Sequence, residues 1–241
     1  MYTFLAKLNI HQCFTWNISK RQTIWQLRSF LAGILQNTEN IYSNYSHDRE
    51  VINMQRIAII DIGSNSARLV ISHIYKNGAY NMVYNQKEAL RLSQKVDSNN
   101  MLTEAAFAST LETMKSFAYM CKIYKVDKTI AVATAAIRNA YNGVDLVSRV
   151  MEVTGIQLHI ISGNTEAYIS YLGVINTLDV KNGIIFDLGG GSTELILFQN
   201  RQIVESVSLP LGAVNTTGMF NTRNEMPPNV FSDVNFFVKS H

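Results

Sequence analysis

Two stretches decide how this chain folds: Asp61-Ile-Gly-Ser-Asn-Ser-Ala-Arg-Leu-Val-Ile71 and Asp187-Leu-Gly-Gly-Gly-Ser-Thr-Glu-Leu-Ile-Leu197, set 126 residues apart. At that offset Asp61 matches Asp187, Gly63 matches Gly189, Ser66 matches Ser192 and Leu69 matches Leu195. Each stretch reads as an apolar strand ending on an aspartate, a tight turn of small residues, and a second apolar strand. An aspartate at the end of a strand presents its carboxylate at the tip. Small residues after it let the backbone turn sharply and approach a ligand, and successive N–H groups can then form a nest for phosphate oxygens. Ser64, Asn65, Ser66, Ser192 and Thr193 supply further donors. Carboxylates beside a phosphate need a cation between them, and Mg²⁺ takes oxygen ligands and bridges the two. One such loop is an ordinary hairpin; two matched loops in one chain point to phosphate binding at a shared site.

Outward from these loops the pattern is α/β. Strands are expected at Arg56–Ile62, Ala67–Tyr75 and Ala79–Tyr84, the last pair joined at Asn77-Gly78, a strong hairpin signal. A helix is expected from Thr103, its N-cap, to about Lys125, with Phe107, Leu111, Met114, Ala118 and Cys121 on one stripe. Then come a strand at Lys128–Thr134, a helix at Val144–Thr154 ending before Gly155, a strand at Ile156–Ile161 and a helix at Thr165–Asn176. Strands at Gly183–Leu188, Thr193–Gln199 and Arg201–Leu209 follow. Three strands followed by alternating helix and strand predict a mixed sheet with an antiparallel hairpin edge.

Composition narrows the class. The chain has 241 residues, 47% hydrophobic and 16% charged, which suits a packed core. A net charge of +3 is too small to argue for a nucleic-acid duplex. Two cysteines, Cys13 and Cys121, cannot form a disulfide framework, so a reducing, cytoplasmic setting is expected. No apolar run approaches the roughly 20 residues of a membrane span. Residues 1–53 read as an extension, with an amphipathic helix around Ile24, Leu27, Leu31 and Ile34 and then a polar linker. Pro227-Pro228 opens a final helix carrying Val230, Phe231, Val234, Phe237 and Val238. The expected domains are therefore the extension at 1–53, a first domain at 54–180 and the start of a second, incomplete one at 181–241.

Other candidate residues have ordinary readings as well. In Ser162-Gly-Asn-Thr-Glu-Ala167, Asn164 reads as a helix cap and Glu166 as a first-turn acid, or Glu166 as a catalytic group. Arg138, after a strand end, is either a phosphate clamp or a surface ion pair. Arg68 and Glu194 read equally as solvated strand residues, and His73 and His159 as structural. No Ser-His-Asp set and no Walker loop is present, which removes acyl transfer and P-loop hydrolysis.

The segments IDIGSNSARLVI (60–71), ATAAIRNA (133–140), ISGNTEA (161–167), FDLGGGSTELI (186–196) and SLPLGAVNTT (208–217) together resemble the Ppx/GppA family of exopolyphosphatases and guanosine pentaphosphate phosphohydrolases. The resemblance implies the actin/sugar kinase/Hsp70 fold: a ribonuclease H-like domain with a five-stranded mixed sheet flanked by helices, facing a second such domain across a cleft. It implies release of terminal phosphate from polyphosphate or guanosine pentaphosphate, with Glu166 as the base that activates water. Asp187 and Glu194 would be catalytic, and Asp61, Asp187 and Glu194 would hold Mg²⁺. Asp61, Gly63, Ser64, Asn65, Ser66, Arg138, Gly189, Gly190, Gly191, Ser192 and Thr193 would bind phosphate. In many relatives two acids stand together in the third segment; here the first is Thr165. The resemblance also allows a homodimer. An ATP-using enzyme of the same fold and a non-catalytic phosphate-binding module are the competing readings.

Overall fold

The computed structural model describes residues 54–220 and 228–240. The expected N-terminal helix and Pro227 lie outside the described residues. Eight strands are described: β1 (Met54–Ile62), β2 (Ala67–Tyr75), β3 (Tyr80–Glu88), β4 (Lys128–Ala133), β5 (Leu158–Ile160), β6 (Gly183–Leu188), β7 (Thr193–Gln199) and β8 (Gln202–Leu209). The helices are α1 (Glu104–Ile123), α2 (Ala135–Arg138), α3 (Gly143–Thr154), α4 (Gly163–Ile175), α5 (Ala213–Phe220) and α6 (Pro228–Ser240). The first five strands form one sheet in the order β3-β2-β1-β4-β5, and the last three form a second in the order β6-β7-β8. β4 lies parallel to β1 and to β5, while β1, β2 and β3 are antiparallel, so the first sheet is mixed as expected.

Alternation along β1 separates two buried faces. Ala58, Ile60 and Ile62 join Leu69, Ile71, Ala131 and Ala133 in the main core, under α1 and α3. Ile57, Ile59, Val70 and Ile74 form a smaller cluster on the other side. Burying a Met, Phe or Leu side chain contributes roughly 1.5–3 kcal/mol. On α1 the fully buried apolar members are Ala106, Met114 and Phe117. Phe107, Leu111 and Ala118 only flank that line. The expected stripe is therefore turned slightly about the helix axis, because Thr110 and Thr113, although polar, are buried between its apolar members.

Local signals set most boundaries. Thr103 caps α1 by accepting a hydrogen bond from the Ala106 N–H, and Gly155 ends α3 at φ 69°. At the β2–β3 turn Gly78 has φ 78°, and the Asn77 side chain accepts from the Ala79 N–H. β3 runs on to Glu88, past the expected end at Tyr84, with a register shift beside Ile71 and Ser72. One cap and one helix face differ from expectation. Ser162, not Asn164, caps α4, its hydroxyl accepting from the Thr165 N–H at 3.1 Å. On α6 the partly buried line is Val230, Val234 and Phe237, while Phe231 and Val238 face outward. Phe237 meets Phe220 edge-on at 5.3 Å. No described helix is long and apolar enough to cross a membrane.

Candidate active site

Pairing register places the site. In β1–β2–β3, Asp61 lies opposite Arg68, which lies opposite Lys87. In β6–β7–β8, Asp187 lies opposite Glu194, which lies opposite Ser208. Each row crosses its sheet at the end where the small-residue turn begins. Both turns are closed by the same clasp: the Gly63 N–H donates to the Ser66 carbonyl at 3.0 Å, and the Gly189 N–H to the Ser192 carbonyl at 2.9 Å. The sequence echo is thus a structural repeat.

The two turns meet. A Cβ on Gly190 would lie 3.4 Å from both Ser64 and Asn65, and one on Gly191 would collide with the Ser64 hydroxyl. Only glycine lets the second turn pack on the first this closely. A cleft of about 290 Å³ opens beside the junction, lined by Asp61, Gly63, Ser64, Asn65, Ser66, Arg68, Lys87, Glu166, Asp187, Gly189, Gly190 and Glu194, among others. Gly191, Ser192, Thr193 and Arg138 lie outside this lining. Thr193 is buried, its hydroxyl donating to the Leu211 carbonyl. Ser192 and Arg138 instead line a second cavity of about 310 Å³ with Ser162, Asn164 and Ser208.

Glu166 is carried by the first turn of α4, which packs Ala167, Tyr171 and Ile175 on Ile196 and Phe198 of the second sheet. The same helix turns Ser170 toward Asp187, donating to its Oδ2 at 2.6 Å. The start of α4 lies hard against β8: a Cβ on Gly163 would come within 2.5 Å of the Ser208 Cβ. Arg138 Nη1 holds Glu166 Oε2 at 2.8 Å and also donates to the Ile161 carbonyl at 3.1 Å. The guanidinium thus orients the carboxylate, and this one ion pair spans from the second cavity to the cleft.

Burial and like charge act together on the acids. Burial first, then the Asp187 charge, pushes Asp61 up to about 6, with Arg68 opposing. Burial first, then the Glu166 charge, pushes Glu194 up to about 7, against hydrogen bonds from Ser208 and Ser192. Burial also raises Glu166, while the hydrogen bond and charge of Arg138 pull it down. Raised carboxyls favour the protonated fold, so this contribution is complete below the ordinary carboxylate range and is lost as pH climbs through about 6 and about 7. The chain in chelator is therefore expected to melt a few degrees higher at pH 5 than at pH 8. Asp61→Asn and Glu194→Gln should flatten that slope, and a melting temperature rising between those pH values would contradict it.

Several residues of the site carry little signal in sequence. Lys87 joins it only through the β2–β3 register, and Ser170 and Ser208 are unremarkable serines until the fold turns them onto carboxylates. Asn215 accepts from the Gly212 N–H at 2.7 Å and donates to the Gly191 carbonyl at 3.1 Å, tying the glycine turn to α5. The first turn is held likewise: the Arg91 N–H donates to the Asn65 carbonyl and the Ser93 N–H to that of Ser64. Among the described residues no group of three or more His, Cys, Asp or Glu is arranged to hold a metal. Asp61, Asp187 and Glu194, the expected trio, all line the cleft without forming such a group, and Glu194 also accepts from Ser208 at 2.8 Å. Asp61 and Asp187, repelling one another across the cleft, still fit a hard cation that completes its shell with phosphate oxygens and water.

Known proteins share this sequence pattern and fold. The Ppx/GppA phosphatase family is matched over residues 70–239. The bifunctional 3-dehydroquinate synthase/phosphatase of Fusobacterium nucleatum is 34% identical over 178 residues, covering 70% of this chain and 27% of that protein. Exopolyphosphatase 1 of Mycobacterium leprae is 32% identical over 164 residues, covering 67% of this chain and 48% of that protein. The crystal structure of the Aquifex aeolicus member of the Ppx/GppA family has a TM-score of 0.60 at 34% identity, covering 69% of this chain and 55% of that one. This chain spans about half the length of the exopolyphosphatase it matches.

Proposed function

Since this chain belongs to the Ppx/GppA phosphatase family, we propose that it is an exopolyphosphatase-type phosphohydrolase, releasing terminal orthophosphate from inorganic polyphosphate. The observation that carries the reading is the meeting of two identically clasped, acid-tipped turns beside a cleft that also contains Glu166. Backbone N–H groups of the turns, with Ser64, Asn65 and Ser66, bind the non-bridging oxygens of the last phosphates. Arg68 and Lys87 draw the following phosphates along the first wall. Glu166 takes a proton from a water as its oxygen bonds to the terminal phosphorus. The bridging P–O bond breaks, and the shortened chain leaves with the electron pair. Phosphoryl transfer is mostly positioning and charge stabilisation, so these parts suffice in kind. Mg²⁺ held by Asp61 and Asp187 would supply charge neutralisation at the phosphate oxygens.

Arg138 positions the base and sets its proton affinity. Replacing it by Gln removes the hydrogen bond and the charge that hold Glu166 down. The acid limb of kcat/KM is then expected to move to higher pH, whereas an unmoved limb with a reduced rate would make Arg138 a phosphate contact only.

The test of the function is phosphate release by the purified chain from polyphosphate and from guanosine pentaphosphate, each with Mg²⁺ and with excess chelator. Release from polyphosphate with no nucleotide present, abolished by chelator, is the expected result. Release confined to the guanosine nucleotide would move the chain to the other branch of the family.

A further inference from the structure

The two acid-tipped turns are built alike, but their aspartates are supported differently. Asp61 lies opposite Arg68 in the strand register, so a cation stands beside it. At the same place in the second hairpin Asp187 lies opposite Glu194, an acid. The Asp187 charge also bears on Asp61 and Glu166, so this carboxylate faces three others. Repulsion favours any rotamer that separates them, and a carboxylate kept in the cleft among like charges needs a donor to hold it there.

Ser170 is such a donor. Its hydroxyl reaches Asp187 Oδ2 at 2.6 Å, a length usual for a hydroxyl donating to a carboxylate. A buried hydroxyl is costly without a partner, and buried Ser170 finds its partner in a carboxylate that lines the cleft. The helix that carries it is pinned at both ends. At the start Gly163 abuts Ser208 of β8. Further along, the Tyr171 hydroxyl donates to the Arg201 carbonyl at 2.5 Å, and Arg201 Nη2 donates to the Ile175 carbonyl at 2.5 Å. Glu166 and Ser170 are four residues apart, so they share one face of α4, a turn apart. One fixed helix therefore presents the Glu166 carboxylate to the cleft and holds the Asp187 carboxylate beside it.

We propose that Ser170 is a positioning residue for a divalent cation: from α4 it holds Asp187 in the orientation in which that carboxylate takes the metal, and so sets metal affinity without touching the metal. This rests on the reading of Asp61 and Asp187 as the cation's protein ligands. A carboxylate offers about four lone-pair sites, and the hydroxyl occupies one of them, which leaves room for a cation. Removing an outer partner of this kind typically weakens metal binding by about 10- to 100-fold. Where the first hairpin steadies its aspartate with an arginine from the next strand, the second does so with a serine from the helix above it.

Mn²⁺, which prefers the same oxygen ligands as Mg²⁺, is titrated into the full 241-residue chain, and free Mn²⁺ is read by electron paramagnetic resonance. Ser170→Ala removes the hydroxyl without adding bulk. Ser170→Thr and Ser170→Val match one another in shape and differ by the hydroxyl alone. Ser170→Ala and Ser170→Val are expected to raise the Mn²⁺ Kd by about tenfold or more, and Ser170→Thr to stay within about threefold of the unaltered chain. The Mg²⁺ concentration for half-maximal phosphate release should rise in step, while kcat at saturating Mg²⁺ falls much less. A lower melting temperature in Ser170→Ala with an unchanged Mn²⁺ Kd makes the contact merely structural and overturns the proposal. So does a Ser170→Thr that binds Mn²⁺ no better than Ser170→Val. Absence of any Mn²⁺ binding that Asp187→Asn removes overturns the cation ligands and the proposal together. The expected pattern of Kd values in a chain that releases no phosphate upholds the proposal and sets aside the hydrolysis alone.

Discussion

Glu166→Gln is expected to lower phosphate release from polyphosphate by about 10²- to 10⁴-fold, the range over which a positioned general base contributes. The amide keeps the size of the carboxylate and can still accept from Arg138, so the fold and the cleft should persist. What it loses is the ability to take a proton at neutral pH. Burial raises the Glu166 pKa and Arg138 restrains the rise, so the group binds a proton more readily than an exposed glutamate. The comparison is made at saturating polyphosphate, with melting temperature and phosphate binding measured alongside. A variant that keeps more than a tenth of the rate would remove Glu166 from the chemistry and leave the cleft as a binding site.

Gly212→Ala has the next largest expected effect, and it comes from a residue that carries no charge itself. A Cβ there would run into the carbonyl of Gly190 and the N–H of Gly191. These are backbone atoms and cannot rotate aside. The turn they belong to is fixed on both sides, by the Ala213 and Val214 N–H groups donating to the Gly189 and Gly190 carbonyls, and by Ser64 beneath it. Overpacking of this kind typically costs about 1–3 kcal/mol. Displacing a phosphate-binding turn by even an ångström can cost on the order of 10²-fold in rate. Both losses are expected here. Gly218, six residues along in α5, is the control: a Cβ there meets nothing within 4 Å. Gly218→Ala should be neutral or stabilising, since alanine is the better helix former by about 1 kcal/mol. Equal effects at the two glycines would show that the contact at Gly212 does not matter.

Much of this was legible before any coordinates. The hairpins, the alternation that follows them and the cap at Thr103 rest on local signals with a fixed period or a fixed residue preference. The pairing of Asp61 with Asp187 was legible because the chain repeats itself. What the sequence hid was mostly register and cross-element contact. Lys87 enters the cleft only because β3 continues past Tyr84 and pairs Arg68. Nothing local distinguishes Ser170 or Ser208 from any other serine, since their partners lie 17 and 14 residues away in the chain. Ser162 and Asn164 are both good caps, and the choice fell to the residue whose hydroxyl reaches the Thr165 N–H. Arg138 could be read as a phosphate clamp or as a surface ion pair; what no local signal showed is that its partner is Glu166, 28 residues on and part-buried with it.

The duplicated hairpins are alike in clasp and register but opposite in sign at one place: seven residues after its aspartate, the first carries Arg68 and the second Glu194. A linear polyanion is the same read from either end. Between these two walls it would not be, for the first carries cations and the second an acid. A polyphosphate bound there would therefore have one preferred direction, with Arg68 and Lys87 on one side and Glu194 on the other.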